Sequence, residues 1–149
     1  MNKVTIIYLV LFLAGCNETV DSYYSNYKKV VEDGAIERGW IPEWLPKFAY
    51  NIHESHDLDT NQSILYWKNE SKWKKPSICS QIGPRKAPRS FIIKSWWPTD
   101  VPATKYATHR HVFFECGNNS YLAYEPNSNN EVYYWRVRSE QRSSLLLTR

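Results

Sequence analysis

The chain has no apolar run of the ~20 residues that a membrane-spanning helix needs at 1.5 Å per residue. It contains no G-x-S-x-G, no glycine-rich phosphate loop and no S-x-x-K, so no familiar nucleophile or nucleotide site is written in it. Only three cysteines are present, none in a C-x-x-C arrangement, which removes the usual dithiol redox motif. There are no internal repeats and no low-complexity tract that would mark an array or a linker. A formal charge of +4 over 149 residues is too mild an excess to argue for a nucleic-acid partner.

What is present starts with a short apolar run, Val4 to Leu13, behind the positive Lys3. This is the build of an export signal. The run ends in Leu13-Ala14-Gly15-Cys16, which resembles the lipobox of bacterial lipoproteins. The resemblance implies cleavage before Cys16, diacylglycerol on its sulfur and an acyl chain, such as palmitate, on the new amine. Two or three chains anchor a protein stably where one does not. The expected layout is a signal peptide over 1–15, a lipidated tether over 16–21 and a single domain over 22–149. The expected address is the outer membrane, facing the periplasm. Asn17 stands where an Asp would retain the protein at the inner membrane of an enteric bacterium.

Removing the first 15 of 149 residues leaves 134, enough for one real core. Seven Trp and eleven Tyr suit the core of a small β-rich domain and also interfaces. With Cys16 assigned to lipid, Cys79 and Cys116 remain, and in an oxidising envelope two leftover cysteines most simply pair.

The expected fold is α+β, an N-terminal helix packed on one antiparallel sheet that ends in a three-strand meander. Tyr23, Tyr27, Val30 and Val31 fall at helical spacing behind a cap at Asp21 or Ser22. Strands are expected at Ala49–His53, Ser63–Lys68, Phe91–Trp97, His111–Cys116, Ser120–Tyr124 and Glu131–Arg138. Gly117-Asn118-Asn119 and the Pro126–Asn130 segment supply the tight links between the last three. Trp40 and Trp44, set among Pro42 and Pro46, are expected to clamp the connection after the helix onto the core.

Two groups of residues carry candidate chemistry. His53, His56, Asp57 and Asp59 lie in a segment rich in metal-binding side chains. Asp57-x-Asp59-x-Asn61 opens like a calcium loop, but Gln62 occupies the position of the obligatory glycine and Lys68 that of the bidentate Glu. His53 and His56 can converge on zinc only if the segment is helical, and Asp57 stands where H-E-x-x-H requires its second His. The favoured reading is therefore a turn held by Asp57, Asp59 and Asn61 bonding to backbone N–H groups. A metal-assisted hydrolase using His53, His56 and Asp57 is the alternative. His109-Arg110-His111 is a second cluster that could meet the first. The other group is basic and aromatic: Trp73, Lys74, Lys75, Arg85, Arg136 and Arg138, read as a binding face for an acidic protein or envelope glycan. Trp96 and Trp97 are expected to split, one ring in the core and one outside. No cofactor is expected.

Gly39-Trp40-Ile41-Pro42-Glu43-Trp44-Leu45-Pro46, with Ile52-His53-Glu54-x-His56-Asp57-Leu58-Asp59-Thr60-Asn61, resembles a phrase of small uncharacterised bacterial lipoproteins, some encoded near Rhs or polymorphic-toxin elements. The resemblance spans residues 35–67. It implies no mechanism, but favours an immunity-like role. The functional expectation is an envelope-anchored, non-enzymatic binding module.

Overall fold

The computed structural model describes residues 19–70, 73–98, 101, 111–127 and 130–138. Seven strands form one antiparallel sheet: β1 (Thr19–Asn26), β2 (Ala49–Asp57), β3 (Ser63–Asn69), β4 (Ser80–Ile82), β5 (Val112–Glu115), β6 (Ser120–Tyr124) and β7 (Glu131–Arg136). Their order across the sheet is β1-β2-β3-β7-β6-β5-β4. The last three strands form the expected meander. The signal peptide, Cys16, His109, Arg110 and the Leu145–Leu147 tail lie outside the described residues.

The α+β expectation is corrected by this architecture. The only α-helix among the described residues, α1, spans Tyr27–Asp33, and Thr19–Asn26 is a strand paired along its length with β2. The helical spacing of Tyr23, Tyr27 and Val30 runs across a strand-to-helix junction. Asn26 makes that junction: its backbone is extended and its side chain accepts a hydrogen bond from Lys29 N at 3.2 Å. A two-turn helix is too short to stand alone in water, whereas β1 gains a ladder along the edge of β2. Gly34, at φ 72°, ends the helix in the left-handed region, its N–H reaching Val30 O and Val31 O, an arrangement that a side chain would strain.

The sheet is covered on both faces, which is why β3, β6 and β7 are buried almost throughout. One face packs Ile52, Leu65, Trp67, Leu122, Val132 and Tyr134 under α1 and the 35–46 connection. There Trp44 lies against Trp67 and Tyr134. The other face packs Ile64, Tyr66, Phe113, Tyr121, Tyr133 and Trp135 under the segment around Ala87, Ile92 and Trp97. On this second face one rung crosses the sheet: Tyr23, His53, Tyr66, Tyr133, Ala123 and Phe113 are successive register partners. The small Ala123 leaves room for His111 to reach Tyr133, their ring centroids 5.7 Å apart. Cross-strand aromatic pairs of this kind contribute about 0.5–1.5 kcal/mol each beyond burial.

The expected strand at Phe91–Trp97 does not form. Its apolar residues serve as a cover: Trp97 is buried and donates from Nε1 to Val101 O at 2.8 Å, and Trp135 Nε1 donates to Pro88 O at 2.9 Å. Trp96 is half-buried against His53 on the same face, so the two tryptophans split by depth and not by side of the sheet. Cys79 and Cys116 form the expected disulfide. It sits where β4 begins and β5 ends, and pins the three-residue edge strand β4 to its partner.

Candidate functional site

A bulge at Asn51, φ 50°, shifts the β2 register between Tyr50 and His53. Beyond it, the two-residue period of the strand sends Glu54 and His56 to one face, and His53, Ser55 and Asp57 to the other. His53 and His56 therefore point away from each other, and one ion cannot be held by both. No group of three or more metal-ligating side chains occurs among the described residues. Burial lowers the His53 pKa toward a neutral ring, held among Tyr23, Tyr66 and Trp96.

Asp57 closes the β2–β3 turn. Its Oδ1 accepts from Asp59 N at 3.0 Å and Thr60 N at 2.8 Å, and Asn61 takes a positive φ of 55°. Those carboxylate bonds are the ones a calcium ion would have to break. Melts in EDTA, Zn²⁺ and Ca²⁺ are therefore expected to superimpose. A ligand at 100 times its dissociation constant would stabilise by about 2.7 kcal/mol, a shift of several degrees. Such a shift, abolished by His53→Ala or Asp57→Ala, would restore the metal-site alternative.

The sequence reading missed the pair Glu54–His56. Both are buried, and His56 Nδ1 lies 2.9 and 3.0 Å from the two Glu54 carboxyl oxygens. Trp40 stacks on the His56 ring at 4.0 Å, and the Arg38 guanidinium lies 4.0 Å above Trp40. Arg38 is in turn bonded to Asp33, which also accepts from Tyr24 OH at 2.8 Å. Desolvation pushes the Glu54 pKa up to about 8, with Asp21 adding to the rise and Arg38 opposing it. Desolvation, then Arg38, pushes His56 down. Both shifts favour the uncharged forms, the arrangement in which a carboxyl O–H would donate to His56 Nδ1. His56 Nε2 is left buried without a partner. The pair is buried beneath Trp40 and lines none of the described clefts.

On the opposite face Glu131 accepts from Tyr66 OH and Tyr133 OH, each at 3.0 Å, and pairs with Lys68 at 3.2 Å. These bonds hold its carboxyl below the ordinary range against the desolvation of burial. Burial and the Glu131 charge raise both phenols. His111 is buried 3.9 Å from Glu125. It meets His53 only through the intervening Tyr66 and Tyr133 rings.

The basic and aromatic set is not one face. Trp73 is only 8 % exposed and packs on Phe114 and Tyr124, so it is a core ring and not a contact residue. Its neighbours in sequence, charged and Pro-flanked, suggested exposure, but its ring turns inward. Lys75 is engaged by the carbonyls of Pro76 and Cys79. Lys74 and Arg85 are exposed but line none of the described clefts. Arg136 and Arg138 share a polar cleft of about 330 Å³ with Asp59, Asn61, Asn118 and Asn119. Arg136 also lines a second cleft, of about 310 Å³, with Trp44, Ile78, Asn118 and Tyr134. Its Nη1 donates to Gly39 O at 3.4 Å, tying the end of β7 to the connection that carries Trp40.

The YbbD head domain family model matches residues 18–68, about a third of the chain. The matched piece holds β1, α1, β2 and β3 with the Glu54–His56–Trp40 layer between them, and it encloses residues 35–67. Comparison with curated proteins finds no match, nor does comparison with solved structures.

Proposed function

We propose that this chain is a lipid-anchored envelope protein that works by binding a protein partner. The observation that carries the reading is the second cleft. It sets Trp44 and Arg136 around one opening floored by the buried Tyr134, with Ile78 among its lining residues and 58 % exposed. Aromatic rings and Arg dominate binding energy at protein interfaces. The strongly shifted carboxyl, by contrast, is buried beneath Trp40, which favours a structural role for it. The lipoprotein resemblance adds the partner class, a toxin neutralised at the envelope.

A photo-crosslinking residue placed at Ile78 in cells is expected to give one discrete adduct. Arg136→Ala is expected to weaken capture by about 30-fold, the equivalent of 2 kcal/mol. No position-specific adduct, together with a hydrolytic activity lost in His53→Ala or His56→Ala, would replace binding with catalysis. The anchor has its own test. Labelled palmitate is expected on the protein and absent from Cys16→Ser; label persisting in that variant would refute lipidation.

A further inference from the structure

β1 is an edge strand, and it begins at Thr19. Thr19 pairs with Asp57, so Leu58, the next residue on β2's side, stands beside the point where the chain enters the sheet. Leu58 is 53 % exposed. Lys94 Nζ reaches the same point from the covering segment, donating to Thr19 Oγ1 at 3.2 Å and to Asp21 at 2.8 Å. Its neighbour Ile93 is 86 % exposed and Phe91 is 68 % exposed. Phe91 and Ile93 line a mainly apolar groove of about 340 Å³ with Trp97, Pro98 and Val101. Leu58 follows the register partner of Thr19 and Ile93 precedes Lys94, so both flank the entry of the chain, and Phe91 continues the exposed apolar surface along the groove.

Only two residues, Asn17 and Glu18, separate Thr19 from Cys16. The three steps from Cys16 to Thr19, fully extended, span about 10 Å, at 3.3–3.6 Å each. An acylated Cys16 therefore holds this corner of the sheet at the membrane surface and leaves little freedom to lift it. Exposed apolar side chains held there find an apolar solvent within reach, and an added contact strengthens a lipid anchor. Of the cations near the patch, Lys94 is paired with Asp21 and Arg89 lines the groove beside Phe91, so the apolar share of the contact is the part that persists in high salt.

We infer that the β1 corner docks directly on the phospholipid bilayer, inserting Leu58, Phe91 and Ile93 at the acyl boundary. The Trp44–Arg136 cleft lies on the opposite face of the sheet from the Phe91–Ile93 groove, so it stays open to a partner. This inference rests on lipidation of Cys16, and the experiment separates the two. Full-length protein carrying Leu58→Cys, Ile93→Cys or, at the other end of the sheet, Glu70→Cys is labelled with a polarity-sensitive fluorophore. It is then reconstituted in phosphatidylethanolamine–phosphatidylglycerol vesicles with brominated acyl chains, and palmitate is measured on the same sample. Expected are a blue shift and loss of most of the fluorescence at positions 58 and 93, unchanged in high salt, with position 70 unaffected. Leu58→Glu is expected to abolish the change at position 93. Palmitoylated protein with both positions still in water would overturn the docking and leave the anchor standing. So would shielding at position 93 seen on intact envelopes but not on vesicles, which would assign the patch to a protein. Absence of palmitate would overturn both readings.

Discussion

Replacing Cys79 and Cys116 together by Ala is expected to destabilise the domain by about 4 kcal/mol, the loop-entropy value for a bridge of this span. For a domain of this size that lowers Tm by roughly 10–15 °C. The bridge closes a loop with a sequence separation of 37. That loop includes the whole segment from Pro84 to Val101 that covers the second face of the sheet. Cutting it frees more than a hairpin. β4 has only three residues with which to hold its edge, and the cover over Trp135 and Tyr133 depends on the same tether. Ala is chosen because Ser would leave a buried hydroxyl at each site. Denaturation of the oxidised protein and the variant, followed by far-UV circular dichroism, checks the figure. A Tm within two or three degrees of the parent would mean that the cover is held by packing alone.

The bridge is legible because two cysteines are left to pair once Cys16 is read as a lipid-attachment site. The meander was legible for local reasons too. Gly117, Asn118 and Asn119 all take positive φ, the conformation their residue types tolerate, and they sit between two β-rich runs. The Asp57 turn follows from an Asx side chain bonding the backbone beside it. What failed were readings that need a neighbour in space. Tyr23, Tyr27 and Val30 have helical spacing whether or not an edge strand is free to pair. Phe91 to Trp97 is as rich in β-formers as any strand here, but its residues cover a face instead of extending an edge. The spacing His53-x-x-His56 was weighed as a helix for zinc. On a strand the meaningful interval is two, which is the one that joins Glu54 to His56. Nothing local marks that pair as buried, because its lid comes from Arg38 and Trp40 on a separate connection.

The pair itself makes stability depend on pH, and the two partners pull in opposite directions. Burial pushes the folded-state pKa of Glu54 up to about 8 from the ordinary carboxyl value of 4.5, so between those values the folded chain holds a proton that the unfolded chain has released. Its contribution is fully present below the unfolded value and is lost as pH rises toward 8. His56 has a lowered folded pKa. Its unfolded form binds the extra proton below about 6.5, the ordinary imidazole value, so stability falls as pH drops below that point. Below about 6.5 the two slopes oppose each other. Above it the Glu54 loss acts alone, and it amounts to about 2 kcal/mol by pH 8. Glu54→Gln keeps a donor for His56 Nδ1 but cannot ionise. Urea denaturation of the parent across pH 6.5–8 is expected to show a falling midpoint, and Glu54→Gln a much flatter one. Glu54→Leu leaves His56 buried with neither ring nitrogen bonded and is expected to be less stable than Glu54→Gln at every pH, by about 1–3 kcal/mol. A parent midpoint that holds steady from 6.5 to 8 would show that the folded pair carries no extra proton in that range, with Glu54 ionised beside a neutral His56, and would overturn this reading.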